Sequence, residues 1–175
     1  MKTKELVFLG FLTATASVVY IIENLILRAL PIPFLRLGLA NIVMLYLIMH
    51  RKIWQAYVVT IAKTIVGGIA TFTLISPAML LSLGGGIIAV CCMSAGLMIR
   101  PRLSVTGISI LGAVSHNLTQ LFLARWFIIT QDSLFVLTPI LILLGLFSGI
   151  LTACLCYYIE ERIPNLKLRY ETKKI

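Results

Sequence analysis

The sequence predicts an all-α integral membrane protein of six transmembrane helices with both ends in the cytoplasm. Three observations predict it: a shortage of charge, a series of long apolar runs, and a lopsided distribution of Lys and Arg between those runs. Charged residues make up 12% of the 175 residues and hydrophobic ones 60%, with a mean hydropathy of +1.05. A soluble domain carries about 25% charged residues, so half the usual surface charge is missing, a deficit that is tolerable where lipid replaces water around the chain. The length fits one domain over residues 1–175, and the apolar runs leave no room for a separate soluble unit.

A membrane helix needs about 20 apolar residues, and six segments qualify or nearly do. The first covers about residues 5–29 and stops before Pro31-Ile32-Pro33. Its apolar stretch exceeds the roughly 7–15 residues of a signal-peptide core and lacks a small-residue cleavage site, so it reads as a retained span. The second, about 35–49, is short and ends at His50-Arg51-Lys52. The third, about 53–75, ends at Ser76-Pro77, an N-cap and first-turn proline that open the fourth, about 78–99. Arg100-Pro101-Arg102 stops the fourth, and the fifth covers about 103–129. Thr130-Gln131-Asp132-Ser133 is the turn to the sixth, about 134–159, and residues 160–175 form a charged cytoplasmic tail.

Orientation follows from the cations between the segments. Lys2, Lys4, Arg51, Lys52, Arg100, Arg102, Arg162, Lys167, Arg169, Lys173 and Lys174 fall on one side, against Arg28, Arg36 and Arg125 on the other. The richer side is the cytoplasmic one, which places both termini inside and requires an even number of spans. The same mapping disposes of nucleic acid as a partner: the net charge of +9 sits in connections between apolar segments, with no basic stripe interleaved with aromatics.

Four cysteines, Cys91, Cys92, Cys154 and Cys156, lie inside apolar runs without C-x-x-C spacing or nearby His and carboxylate partners. They read as small buried hydrophobes, not as a metal site. Catalytic machinery is equally hard to find. The chain has no G-x-x-x-x-G-K-[ST] loop for a nucleotide. Asp132 is its only aspartate, so no aspartate-rich motif holds the magnesium of a diphosphate substrate. Ser115 and His116 are adjacent, which on a helix points them about 100° apart, and no elbow motif surrounds them. The expectation is a protein that is not an enzyme and takes no cofactor.

Polar side chains inside the spans carry the functional signal, because an ionisable group in hydrocarbon needs a cavity or a partner. Lys63 lies about ten residues into the third segment, hence roughly 15 Å deep. His116, Asn117 and Gln120 interrupt the fifth, and His116 and Gln120, four apart, share a face. Arg36 and Asn41 open the second segment, and Glu23, Asn24 and Arg28 close the first. The plain alternatives are snorkelling for the arginines, an ion-pair role for Glu23 and interhelical hydrogen bonding for His116. The sharper expectation is one outward-facing cavity lined by Arg36, Asn41, Lys63, His116, Asn117 and Gln120, with Glu23 at its edge. Its excess of positive charge favours an anionic ligand, a carboxylate or phosphate.

Small residues recur at the spacing that lets helices approach in lipid: Gly10 and Ala14, Cys92 and Gly96, Ser109 and Ala113, and Gly145, Gly149 and Ala153. Gly10 and Ala14 are expected to dock a partner, and Gly145 and Gly149 to pack inside the chain. No internal repeat is visible, which counts against an inverted-repeat transporter.

Three segments resemble one known family. Phe34-Leu35-Arg36-Leu37-Gly38-Leu39-Ala40-Asn41-Ile42-Val43 resembles the K-L-G-L-A-N-I signature of the Gx transporter family. Leu80-Leu81-Ser82-Leu83-Gly84-Gly85-Gly86 is similar to its L-S-L-x-G-G segment, and Gly112-Ala113-Val114-Ser115-His116-Asn117-Leu118-Thr119-Gln120-Leu121 to its G-A-V-x-H-N-x-x-Q segment. The three stand in the family's order, over about residues 5–160. That family is often labelled heptaprenyl diphosphate synthase component I and is grouped with the S components of energy-coupling factor transporters. The resemblance implies a six-helix S-component fold in the cell membrane that binds a vitamin-like or cofactor-like molecule from outside. It also implies partners, a transmembrane coupling subunit and two ATPases. In S components the coupling face is often an A-x-x-x-A ridge on the first helix, for which Gly10-x-x-x-Ala14 stands here. Arg36 replaces the signature lysine, keeping charge but changing geometry. The alternative is a non-catalytic accessory membrane subunit of polyprenyl diphosphate or quinone metabolism, and a structural subunit of a redox complex is a third reading.

Overall fold

The computed structural model describes residues 3–28, 38–99, 103–128 and 132–162, with backbone alone at 27, 28, 132 and 133. Among the described residues the chain is all-helical: α1 (Thr3–Arg28), α2 (Asn41–Met49), α3 (Ile53–Ala70), α4 (Pro77–Met98), α5 (Val105–Phe127), a 3₁₀ turn (Asp132–Leu137) and α6 (Thr138–Arg162). Among the described residues, four stretches, in α1, α3, α4 and the 3₁₀ turn with α6, are long and apolar enough to cross a membrane. α5 is as long, but its His, Asn and Gln lower its hydropathy, and α2 has 9 residues, about 13 Å.

The second segment therefore differs from the expected span over 35–49. Its helix starts only at Asn41, because Gly38 adopts φ +70 and the chain turns there, with the Asn41 N–H donating to the Gly38 carbonyl at 2.8 Å. The third helix is also shorter than expected, ending at Ala70 and not near residue 75. Phe72 takes φ 55, the Thr73 N–H donates to Gly68 O and the Phe72 N–H to Ile69 O, the pairing of a Schellman stop. Thr71 reinforces it by donating from its hydroxyl to Gly67 O at 2.7 Å. α2 stops the same way, with Arg51 at φ 58, Lys52 N–H on Leu47 O and Arg51 N–H on Ile48 O. The starts of α4 and α5 follow sequence cues more closely. Pro77 occupies the first turn of α4 after an extended Ser76, although the Ser76 hydroxyl donates back to Thr73 O and does not cap the helix. Ser104 caps α5, its Oγ accepting from the Gly107 N–H at 3.1 Å. α6 runs on to Arg162 into the expected tail, of which residues 163–175 lie outside the described set.

Helices α2, α3, α4 and α5 form a ring in which each packs on the next, while α1 covers α3 and α6 covers α5. One end of the bundle, here called the lower end, gathers the start of α1, the α2–α3 turn and the close of α6. Phe8, Tyr46, Ile159 and Glu160 line one groove there, and the Lys52 ammonium lies 5.8 Å from the Phe8 ring centroid. A large apolar cluster fills this end, with Met44, Leu45, Leu47 and Ile48 of α2 at 0–1% exposure against Val90, Met93 and Ile108. A smaller cluster of Leu81, Leu121, Ala124, Leu134 and Leu141 fills the opposite end. Apolar side chains also cover much of the outside, as a lipid-facing surface requires. Trp54, near the lower end of α3, and Trp126, near the upper end of α5, are both exposed. Their positions along two upward-running helices place them roughly 30 Å apart in height, about the thickness of a bilayer's hydrocarbon core, where aromatic belts form.

Close helix approach is encoded by glycine at α5–α6. A Cβ on Gly149 would stand 2.6 Å from the Ile110 Cα, and one on Gly145 2.9 Å from the Val114 Cα. The Ser109 hydroxyl donates to Gly149 O across the same seam at 2.7 Å. This ridge packs inside the chain, as its spacing predicts. The cysteines correct the sequence reading in part: Cys156 is buried and Cys92 half-buried, but Cys91 and Cys154 face outward from their helices.

Candidate functional site

Between the two apolar clusters lies a polar layer. Counting about 1.5 Å per residue from the lower end, Asn41, Lys63 and His116 fall at roughly 12–17 Å, and Gly85 and Gln120 at roughly 20–23 Å. All four polar side chains are buried: Asn41 6%, Lys63 3%, His116 5% and Gln120 2% exposed. Their level is set by how far each sits along its helix, and by the shortness of α2. Because α2 begins only at Asn41, its apolar residues plug the lower part of the ring and its first turn faces the polar layer.

Two groupings make up the layer. In the first, the Lys63 ammonium donates to the Asn41 carbonyl oxygen at 3.3 Å, joining α3 to the start of α2. Glu23 of α1, itself buried, accepts from the Gly38 N–H and so anchors the turn that presents Asn41. Gly38 suits the φ of +70, and a Cβ there would also crowd the Asn41 amide nitrogen at 3.1 Å. The positive end of the α2 dipole and the Lys63 ammonium reinforce each other at this point.

The second grouping lies on the α4–α5 seam. His116 and Gln120 share a face of α5, and both rest on Gly85, where a Cβ would come within 3.0 Å of Gln120 Cγ and 3.1 Å of His116 Cε1. On the adjoining face of α4, a Cβ on Gly86 would meet Thr60 Cγ2 of α3 at 2.7 Å. The glycine run thus draws α3 and α5 toward opposite flanks of one α4 surface. α2 and α4 each pack on both α3 and α5 and so bridge them.

Hydrogen bonding sorts the candidates further. Asn117 turns away from the His116–Gln120 face and donates from Nδ2 to Leu141 O of α6 at 3.1 Å, a helix-joining bond. The Gln120 amide has neither its oxygen nor its nitrogen paired with protein, and the Asn41 nitrogen is likewise unpaired. Each such buried group costs about 1–3 kcal/mol, large for a side chain that a leucine could replace. Arg36 lies outside the described residues, and nothing is described of the Arg28 side chain.

Some members of the layer were not singled out from sequence. Thr60 and Thr64 (0% exposed) flank Lys63 on its face of α3, and Ser82 (3%) lies on α4. The available signal was polar spacing at i, i+3 and i+4 in an apolar helix. Gly38 and Gly85 carried no such signal, since a glycine's close contact is invisible without its neighbour.

Gly10 and Ala14 sit apart from this layer, both exposed on α1, and a Cβ on Gly10 would meet nothing within 4 Å. Beside them a groove of about 300 Å³ runs between α1, α2 and α6, lined by Phe11, Leu12, Thr15, Val43, Tyr46 and Cys156 among others. It is almost wholly apolar and lies below the polar layer, so it suits a lipid tail or a partner helix better than a polar small molecule.

Comparison with curated proteins and with solved structures yields no match to either. A family model, described as heptaprenyl diphosphate synthase component I, matches residues 12–159. That stretch runs from within α1 to near the end of α6 and takes in the whole polar layer. By this match the chain belongs to the heptaprenyl diphosphate synthase component I family.

Proposed function

We propose that this protein is the substrate-binding membrane subunit, the S component, of an energy-coupling factor type uptake transporter. In this reading it is a multi-pass protein of the cell membrane that captures a small, vitamin-like or cofactor-like anion from outside. The observation that carries the reading is the buried layer of Asn41, Lys63, His116 and Gln120, held at mid-height between two apolar clusters. Such a layer is expensive in a membrane protein unless something polar occupies it. A mostly apolar interior with few polar anchors is the usual makeup of a small-molecule site. Lys63 and the α2 dipole favour an anionic group, with Arg36 expected to join them from the segment before Gly38. Asn117 then serves as a positioning residue, fixing α5 against α6.

Transport by this route needs a coupling subunit and two ATPases, because the sequence carries no nucleotide loop of its own. The exposed Gly10–Ala14 ridge and its neighbouring apolar groove are the docking surface in this reading. Gly10→Leu and Ala14→Leu are expected to abolish co-purification with the coupling subunit while leaving ligand retention intact. Normal assembly of both variants would reduce the ridge to a lipid-facing surface.

The orientation that goes with this function puts both termini in the cytoplasm, across six membrane segments counting the short α2 with the chain before it. A single cysteine at Ser133, in an otherwise cysteine-free protein, should then react with an impermeant maleimide added to intact cells. Protection there, with labelling of a cysteine in the tail, would invert the topology and remove outside capture.

The family's description supports a second reading, a non-catalytic accessory subunit of polyprenyl diphosphate synthesis. Co-purification separates the two: a coupling subunit with its ATPases supports the first, and a soluble prenyltransferase the second.

A further inference from the structure

We propose that Gln120 forms an amide-reading subsite, so that the bound molecule presents a hydrogen-bond donor and acceptor side by side, as in a lactam, imide or ureide. This rests on reading the polar layer as a small-molecule site, and not on the transporter role. The Gln120 side chain is 2% exposed, and both its amide oxygen and its amide nitrogen lack a protein partner. A carboxylamide offers one acceptor and a two-proton donor on a single planar edge. The complement of that edge is another cis-amide edge, which satisfies both atoms at once through two parallel hydrogen bonds. A simple anion satisfies the nitrogen alone and leaves the oxygen bare, while a cation does the reverse.

The surroundings hold that edge in place. The Gln120 stem lies against the Gly85 backbone, where no side chain intervenes, and His116 lies one turn below against the same glycine. Asn41 adds a second unpaired donor, Nδ2, while its oxygen is committed to Lys63. The layer therefore offers one matched donor–acceptor pair, one further donor and one cation. The ligand that fits carries an amide-type edge together with an acceptor or anionic group, and an unadorned carboxylate or phosphate uses only half of the site.

The test uses the protein in lipid nanodiscs and three probes at millimolar concentration, read by saturation-transfer NMR. Uracil carries the edge, 1,3-dimethyluracil has both N–H groups blocked, and benzoate is an anion without the edge. Uracil should bind to wild type, 1,3-dimethyluracil should not, and Gln120→Leu should abolish the uracil signal while benzoate still binds. Gln120→Leu should also raise the melting temperature of the ligand-free protein by about 2–4 °C, because an unpaired buried amide is replaced by an apolar side chain of similar size. A fall in melting temperature for Gln120→Leu would show that the amide serves the fold, and equal binding of the two uracils would show that the edge is not read. Either overturns the subsite. Benzoate binding without uracil binding overturns it and leaves the anion site standing, whereas failure of both probes removes the small-molecule site itself.

Discussion

Lys63→Met is expected to weaken retention of the physiological ligand by roughly 10- to 150-fold, the loss of one charge-assisted hydrogen bond worth about 1.5–3 kcal/mol, while the protein still folds. Methionine keeps the length of the unbranched stem and removes the ammonium, and with it the bond to Asn41. A lysine held there for stability alone would give the reverse pattern, with retention unchanged and melting temperature down. Equilibrium dialysis with the small-molecule fraction released from wild-type protein measures the first quantity, and thermal unfolding in the same detergent the second. His116→Ala should weaken retention less, since the imidazole lies on the Gly85 face and not at the Lys63–Asn41 bond.

Gly149→Leu is expected to be the most damaging substitution for the fold. The new Cβ would stand 2.6 Å from the Ile110 Cα and 2.9 Å from its amide nitrogen, so a backbone must move and not merely a side chain. Separating α5 from α6 also stretches the Ser109 bond to Gly149 O and endangers the nearby Asn117 bond to Leu141 O. Overpacking costs about 1–3 kcal/mol where side chains can adjust, and this site sits at or above the upper limit. A Cβ at Gly10 meets nothing within 4 Å, so the isolated chain should tolerate leucine there. Unfolding temperatures of the two variants, compared in one detergent, check the contrast. Equal losses would mean that Gly10 also packs within the protein.

Much of the fold was legible because membrane helices announce themselves by apolar length, and because Pro77 marks the first turn of α4. The stops of α2 and α3 were not legible in the same way. A Schellman stop is normally signalled by glycine, yet Arg51 and Phe72 hold the left-handed positions here, and neither residue type points to one. The shortness of α2 depends on Gly38, whose meaning comes from a contact with Asn41 and an anchor from Glu23 fifteen residues earlier. Within the polar layer, the shared face of His116 and Gln120 follows from their i, i+4 spacing, and Lys63 from the cost of a buried charge. The division of labour between His116 and Asn117 did not follow from their adjacency alone, because it takes the position of α6 to show which one is spent on packing. Gly85 was visible only as part of a glycine run, and its role depends on which side chains of α5 lie against it.

The most direct measurement for the central claim, that the polar layer is a ligand site, is native mass spectrometry of the wild-type chain, Lys63→Met and Gly10→Leu, each purified in mild detergent from its own membranes. The account predicts a small-molecule mass on wild type and on Gly10→Leu, and its absence from Lys63→Met at unchanged folded-state charge distribution. Equal occupancy of wild type and Lys63→Met, or no bound mass on wild type, would contradict it.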